Sequence, residues 1–208
     1  MPLQRLVLVL SITVLLPLAG PTQAQQVLVD DPTSVAPGAA QLEAWHSPEE
    51  SWMAAGVRVH PRVEVGVGAA FLATGTADRR TVDYSLESKI LLRPGSAHRI
   101  GAAVVGGIGV QQLGIPVRRP ASRFAYGILS QDLLPGHLTA YQNVGWVKNE
   151  NGPHLLTWGA RLDWQVLDRF VLIGEAYGEG RVPSVQIALR SVLLPDRIEA
   201  DVSVTRGD

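Results

Sequence analysis

The sequence predicts an all-β protein, an antiparallel up-and-down transmembrane β-barrel of about 10–12 strands. Three observations carry that expectation. Apolar and polar residues alternate with a period of two through stretches about ten residues long, roughly twice the usual strand length of water-soluble domains. The charges inside those stretches fall on one face and leave the other uncharged, the pattern of a wall with lipid on one side. The amino terminus reads as an export signal, and no later apolar run is long enough for a membrane helix.

Composition narrows the class. The 208 residues suit one domain, with 46% hydrophobic and 18% charged residues, below the roughly 25% charged of an average soluble domain. A net charge of −1 and the lack of a basic run argue against a nucleic-acid partner. Cysteine is absent, which excludes disulfides, thiolate metal sites, cysteine nucleophiles and lipoprotein acylation.

Residues 1–24 read as the signal peptide. Arg5 supplies the positive region, Leu6–Leu18 the apolar core and Thr22-Gln23-Ala24 the small-residue cleavage site. An uncleaved membrane helix is the alternative, disfavoured because the run falls short of about 20 residues and Pro17, Gly20 and Pro21 follow it. The expected destination is the outer membrane of a Gram-negative cell, with membrane lipid and the barrel-assembly machinery as partners. Residues 25–40, QQVLVDDPTSVAPGAA, carry prolines, a glycine and an acidic pair. They are expected to be irregular backbone lying in or across the periplasmic mouth as a plug, since such backbone is tolerated at membrane depth only inside protein or along water.

The barrel is expected over residues 41–208. Gln41–His46 is a short first strand. Trp52–Phe71 is a hairpin about His60-Pro61, with Met53, Ala55, Val57 and Val59, then Val63, Val65, Val67, Ala69 and Phe71, on its apolar face. Thr81–Leu92 sets Val82, Tyr84, Leu86, Ser88, Ile90 and Leu92 against Asp83, Glu87 and Lys89. After a short turn at Arg93–Ser96, His98–Val110 sets Ile100, Ala102, Val104, Ile108 and Val110 against Arg99 and a row of glycines. Gln111–Ser122 reads as the longest loop. Arg123–Gln131 has Phe124, Tyr126 and Ile128 on one face, and His137–Val147 follows. His154–Val166 opposes Leu156, Trp158, Ala160, Leu162 and Trp164 to Arg161 and Asp163. Arg169–Tyr177, Ser184–Leu194 and Arg197–Thr205 complete about eleven strands. Short turns at every second connection, with longer loops between them, place the short turns in the periplasm. A soluble β-sandwich also alternates, but it does not require strands this long.

The charged face supplies the expected pore lining: Glu43, Arg58, Glu64, Asp83, Glu87, Lys89, Arg99, Arg161, Asp163, Glu175, Arg190, Glu199 and Asp201. Such mixed charge should pair across strands and narrow the pore rather than select strongly for one ion sign. Gly66-Val67-Gly68 and Gly106-Gly107-Ile108-Gly109 lack the Lys-Ser/Thr and helical pattern of a phosphate loop. They read as allowances for strand coiling or a close inserted segment. His46, His60, His98, His137 and His154 sit at strand ends without metal-ligand spacing, so no metal or cofactor is expected. Trp45, Trp52, Trp146, Trp158 and Trp164, with Tyr84, Tyr126 and Phe124, read as girdle and wall residues, Trp45 and Trp52 sharing a row with the lumen. His46-Ser47 is adjacent, which points the two side chains to opposite faces of a strand, and no His-x-Ser occurs, so no enzyme is expected.

Asp30-Asp31-Pro32-Thr33, Pro37-Gly38 and Gln41-Leu42-Glu43 together resemble the mature amino terminus of small bacterial outer-membrane transporters of the phenol-degradation (meta-cleavage) pathway type. Pro195-Asp196-Arg197-Ile198-Glu199-Ala200-Asp201 resembles the penultimate strand of that family. The resemblance implies passage of small hydrophobic or aromatic solutes. It also implies a further strand ending near an aromatic residue, where this chain ends at Thr205-Arg206-Gly207-Asp208. An odd strand count leaves the first and last strands running the same way, so an incomplete or strained seam between Gln41–His46 and Arg197–Thr205 is expected, with a last strand missing. The expected function is a channel or transporter for small solutes. A structural or sensing barrel with a filled lumen is the alternative, and a lipid-modifying barrel enzyme a more distant one.

Overall fold

Eleven antiparallel strands form one up-and-down sheet in the computed structural model, which describes residues 6–11, 29–47, 50–72, 81–113, 118–149, 152–180, 182–195 and 197–207. A short strand, β1 (Leu6–Ser11), precedes them. The eleven are β2 (Ala40–His46), β3 (Glu50–His60), β4 (Val63–Leu72), β5 (Thr81–Arg93), β6 (Gly101–Leu113), β7 (Arg118–Leu134), β8 (Leu138–Asn149), β9 (His154–Leu167), β10 (Phe170–Glu179), β11 (Val182–Leu194) and β12 (Ile198–Gly207). Each pairs with its sequence neighbour, so β3–β11 are flanked by a ladder on both sides along most of their length. From β3 onward the strands run from ten to seventeen residues, the length that tilted membrane-crossing strands of roughly 9–11 residues require. No helix among the described residues is long and apolar enough to cross a membrane.

The period-two rows become two chemically distinct faces. On the outer face, Met53, Val57, Val67, Leu86, Ile108, Val144, Leu156, Leu162, Ile187 and Leu189 stand exposed, Ile187 to 65%. On the inner face lie the buried Arg161, Glu175, Gln186, Asp201, Ser203 and Thr205. One face of the sheet thus carries the charged and polar side chains with a few buried apolar ones, and the other is apolar and exposed.

Several strand boundaries differ from the expectation. The stretch read as the longest loop is mostly strand: Gln111 pairs with Arg119 and Gln112 with Arg118, leaving residues 114–117 between them. Pro120 is accommodated where the β6–β7 register shifts at Gly109/Val110, the kind of irregularity at which a strand tolerates proline. The turn expected at Arg93–Ser96 is instead a connection across residues 94–100, held by reciprocal Ser96 and Arg99 backbone bonds of 3.1 and 3.0 Å. The contrast in connection length that oriented the sheet is therefore smaller than the sequence suggested.

β2 and β12 do not pair with each other. β1 lies between them, parallel to both, with Leu10 in register with Ala44 on one side and Ala200 on the other. This strand falls within the expected signal peptide. The remainder of that segment, including the cleavage site at Thr22-Gln23-Ala24, lies outside the described residues, as do residues 25–28 of the expected plug.

Candidate functional site

Residues 29–39 form a strap against the inner face. Pro32 and Pro37 remove two amide donors, so the segment cannot join a ladder. Gly38 turns it with φ 73°, and Ala39 N–H donates to Ala36 O at 3.0 Å. β2 starts directly afterwards.

The wall residues meet the strap group by group. Val29 N–H donates to Glu175 Oε1 at 3.0 Å, and Arg161 Nη1 donates to Val29 O at 3.1 Å. With its amide oxygen toward the strap, Asn143 accepts from Asp30 N–H at 2.7 Å and donates to Asp30 O at 3.2 Å. The Asp30 carboxylate accepts from Lys89 Nζ at 2.9 Å and Tyr126 Oη at 3.2 Å. Lys89 also donates to Asp31 O at 3.1 Å. Farther along, Arg58 donates to Ser34 Oγ at 2.6 Å, and Val35 N–H to Glu64 Oε2 at 2.7 Å. Charge-assisted bonds of this kind are about twice as strong as neutral ones, and they come from β3, β4, β5, β9 and β10.

The inner wall is small where the strap and long side chains approach. A Cβ at Gly159 would lie 2.7 Å from Val29 Cγ2, so glycine there makes room for the strap. The Phe124 ring covers Gly107, and the Trp52 ring lies over Gly68. At Gly68 and Gly107 the close groups are rings from adjacent strands, whereas the inserted segment meets Gly159, outside the two glycine runs singled out in the sequence. Beside the strap are two cavities. One, about 510 Å³, is lined by Val29, Phe124, Tyr126, Asn143, Thr157 and Tyr177 among others. The second, about 640 Å³, is lined by many charged groups, including Glu43, Glu64, Glu87, Lys89, Arg161 and Arg190. Val29 and Tyr126 border both.

Of the thirteen charged residues singled out in the sequence, twelve occupy inner-face positions of the strands. Glu64, Lys89, Arg161 and Glu175, together with Arg58, hold the strap. Arg161 also bonds Asp163 at 2.5 Å and lies 4.9 Å over the Tyr141 ring. Arg190 bridges Asp201 at 2.7 Å and Glu199 at 3.3 Å. Asp83 Oδ1 is buried without a hydrogen-bond partner among the described residues. Arg99 is the exception: it sits exposed in the 94–100 connection, because β6 begins at Gly101.

Phe124 and Tyr126 point inward with Ile128 rather than forming girdle and wall. Ile128 packs with Ala103 and Val105, flanked by Phe124 and Tyr126. The sequence missed this because β7 presents Ala125 and Gly127 outward, so polarity does not mark its faces. It also missed Asn143 and Tyr126 as strap contacts, since neither carries charge. All five histidines are exposed at strand ends or in connections. His46 Nδ1 lies 2.8 Å from Ser51 Oγ across β2–β3, a nucleophile–base distance that sequence adjacency concealed. The pair is outside both cavities, and no carboxylate orients the ring among the described residues. Among those residues no group of three or more histidines and carboxylates could hold a metal ion.

The chain matches no curated protein and no solved structure. A family model described as uncharacterised conserved protein UCP029691 matches residues 12–194, and the chain belongs to that family.

Proposed function

We propose that the chain is an outer-membrane β-barrel whose lumen passes small solutes when the strap leaves it. The observation that carries this reading is the inversion of polarity. Ten outer-face apolar residues named above are exposed along strands long enough to span a bilayer, while ion pairs and buried polar groups occupy the inner face. In water such an apolar surface would be an association hazard; in lipid it is the favourable side. Curling the eleven strands into a barrel gives the charged face a lumen and encloses the strap. The resemblance at Asp30–Thr33 and Gln41–Glu43 points to small hydrophobic or aromatic solutes, carried passively and without covalent chemistry.

A second reading has its own support. The strap divides the lumen and engages seven strands, which suits a structural or sensing barrel that never opens. Single-channel recording separates the two. Folded protein in a planar bilayer should show discrete openings, more frequent when Asp30→Asn weakens the Lys89 latch. A silent bilayer with both proteins correctly folded would exclude the channel.

A further inference from the structure

We propose that the inner face is a binding site for short acidic peptides, and that the strap is its tethered occupant. The proposal rests on the reading of the sheet as a wall around the strap. Its own ground is the chemistry of the contacts. A segment that merely filled space would need apolar packing. Here the wall reads peptide groups in sequence: Glu175 takes Val29 N–H, Arg161 gives to Val29 O, and Asn143 meets both N–H and C=O of Asp30. These bonds recognise any backbone.

Side chains are read as well. Val29 sits against Gly159, where anything larger than hydrogen would collide with it. The carboxylate of Asp30 receives Lys89 and Tyr126. The site therefore suits a peptide in which an apolar residue is followed by an acidic one. A free amino terminus in the place of Val29 N would put an ammonium beside Glu175, turning that contact into a doubly charged one. The charged cavity of about 640 Å³ continues past Asp31 and leaves room for further residues. The strap's advantage is its tether, which gives it an effective concentration in the millimolar range for a short flexible linker. Free peptide competes once that advantage is reduced.

The test uses the full chain folded in lipid vesicles. Because cysteine is absent from the sequence, Ser34→Cys provides a single strap thiol, and Asp30→Asn in the same chain loosens the latch. Labelling by a bulky maleimide reports strap displacement. The tripeptide Val-Asp-Asp should accelerate labelling saturably, by about fivefold or more at millimolar concentration. Val-Asn-Asn and acetylated Val-Asp-Asp should do so less than about twofold. Adding Lys89→Gln should abolish the preference for the aspartates. Equal effects of all three peptides, or none from any, would overturn the proposal. The readout needs no current, so a silent bilayer would count against the channel while the labelling result still decides the peptide site.

Discussion

Leu162 and Arg161 are neighbours in β9 on opposite faces, and reversing their chemistry separates a membrane wall from a soluble sheet. Leu162 is 48% exposed and Arg161 5% exposed. Leu162 lies in the central part of β9, so in a bilayer Leu162→Arg places a guanidinium near mid-depth, at a cost of about 2–4 kcal/mol. At tenfold per 1.4 kcal/mol, the folded-to-unfolded ratio in lipid should fall by about 30-fold to 700-fold. In a water-soluble sheet the same change at a half-exposed site would stay within about 0.5 kcal/mol. Arg161→Leu removes the Asp163 pair and the bond to Val29 O, but the loss falls on a face where water can reach Asp163. It should loosen the strap and leave insertion largely intact. Urea titration of folding into vesicles, read by the gel shift between folded and heat-unfolded forms, measures both. Equal tolerance of the two substitutions, or a larger insertion defect for Arg161→Leu, would refute the face assignment.

Three further outcomes follow from the same geometry. Deleting residues 25–39 should raise conductance; unchanged conductance, with the strap cleaved by protease in the intact protein, would remove the plug. Gly107→Ala should destabilise the fold by about 1–3 kcal/mol, because the new methyl would overlap the Phe124 ring and come within 2.8 Å of Leu86 O; an unchanged urea midpoint would show that the ring swings aside freely. In a chain that retains residues 1–24, Ala44→Cys with Ala200→Cys should give no disulfide on oxidation, since both positions flank Leu10 and two strand spacings, about 9.6 Å, exceed the roughly 7 Å reach of a disulfide. Quantitative cross-linking would show that β2 and β12 close directly on each other.

The outer face was legible because an apolar row alternating with a polar one leaves a one-dimensional signature. Val63, Val65 and Val67 against Glu64, Gly66 and Gly68 reveal register without reference to any distant residue. Strand number and neighbour order followed from the same signature. Arg99 was misplaced because a turn tightened by a single Ser96–Arg99 bridge leaves no mark in hydropathy. β7 was misread in length and face because its inner row packs against Ala103 and Val105, an apolar contact inside an otherwise polar face. The strap was foreseen as irregular from its prolines and glycine. Its anchors were not, because Asn143, Tyr126 and Glu175 converge only when strands far apart in sequence curl toward one another. The parallel placement of Leu6–Ser11 had no counterpart in the sequence reading, where that run was assigned to export alone.

Lipid coverage of the outer face is tested most directly by two tryptophans. Trp164 points outward at 53% exposure, while Trp52 points inward over Gly68. Two variants, each retaining one of these tryptophans with the other four replaced by phenylalanine, can be folded into vesicles containing brominated acyl chains. A lipid-covered outer face requires strong lipid quenching of Trp164 with little effect of aqueous iodide, and no lipid quenching of Trp52. Quenching of Trp164 by iodide and not by brominated lipid would contradict it.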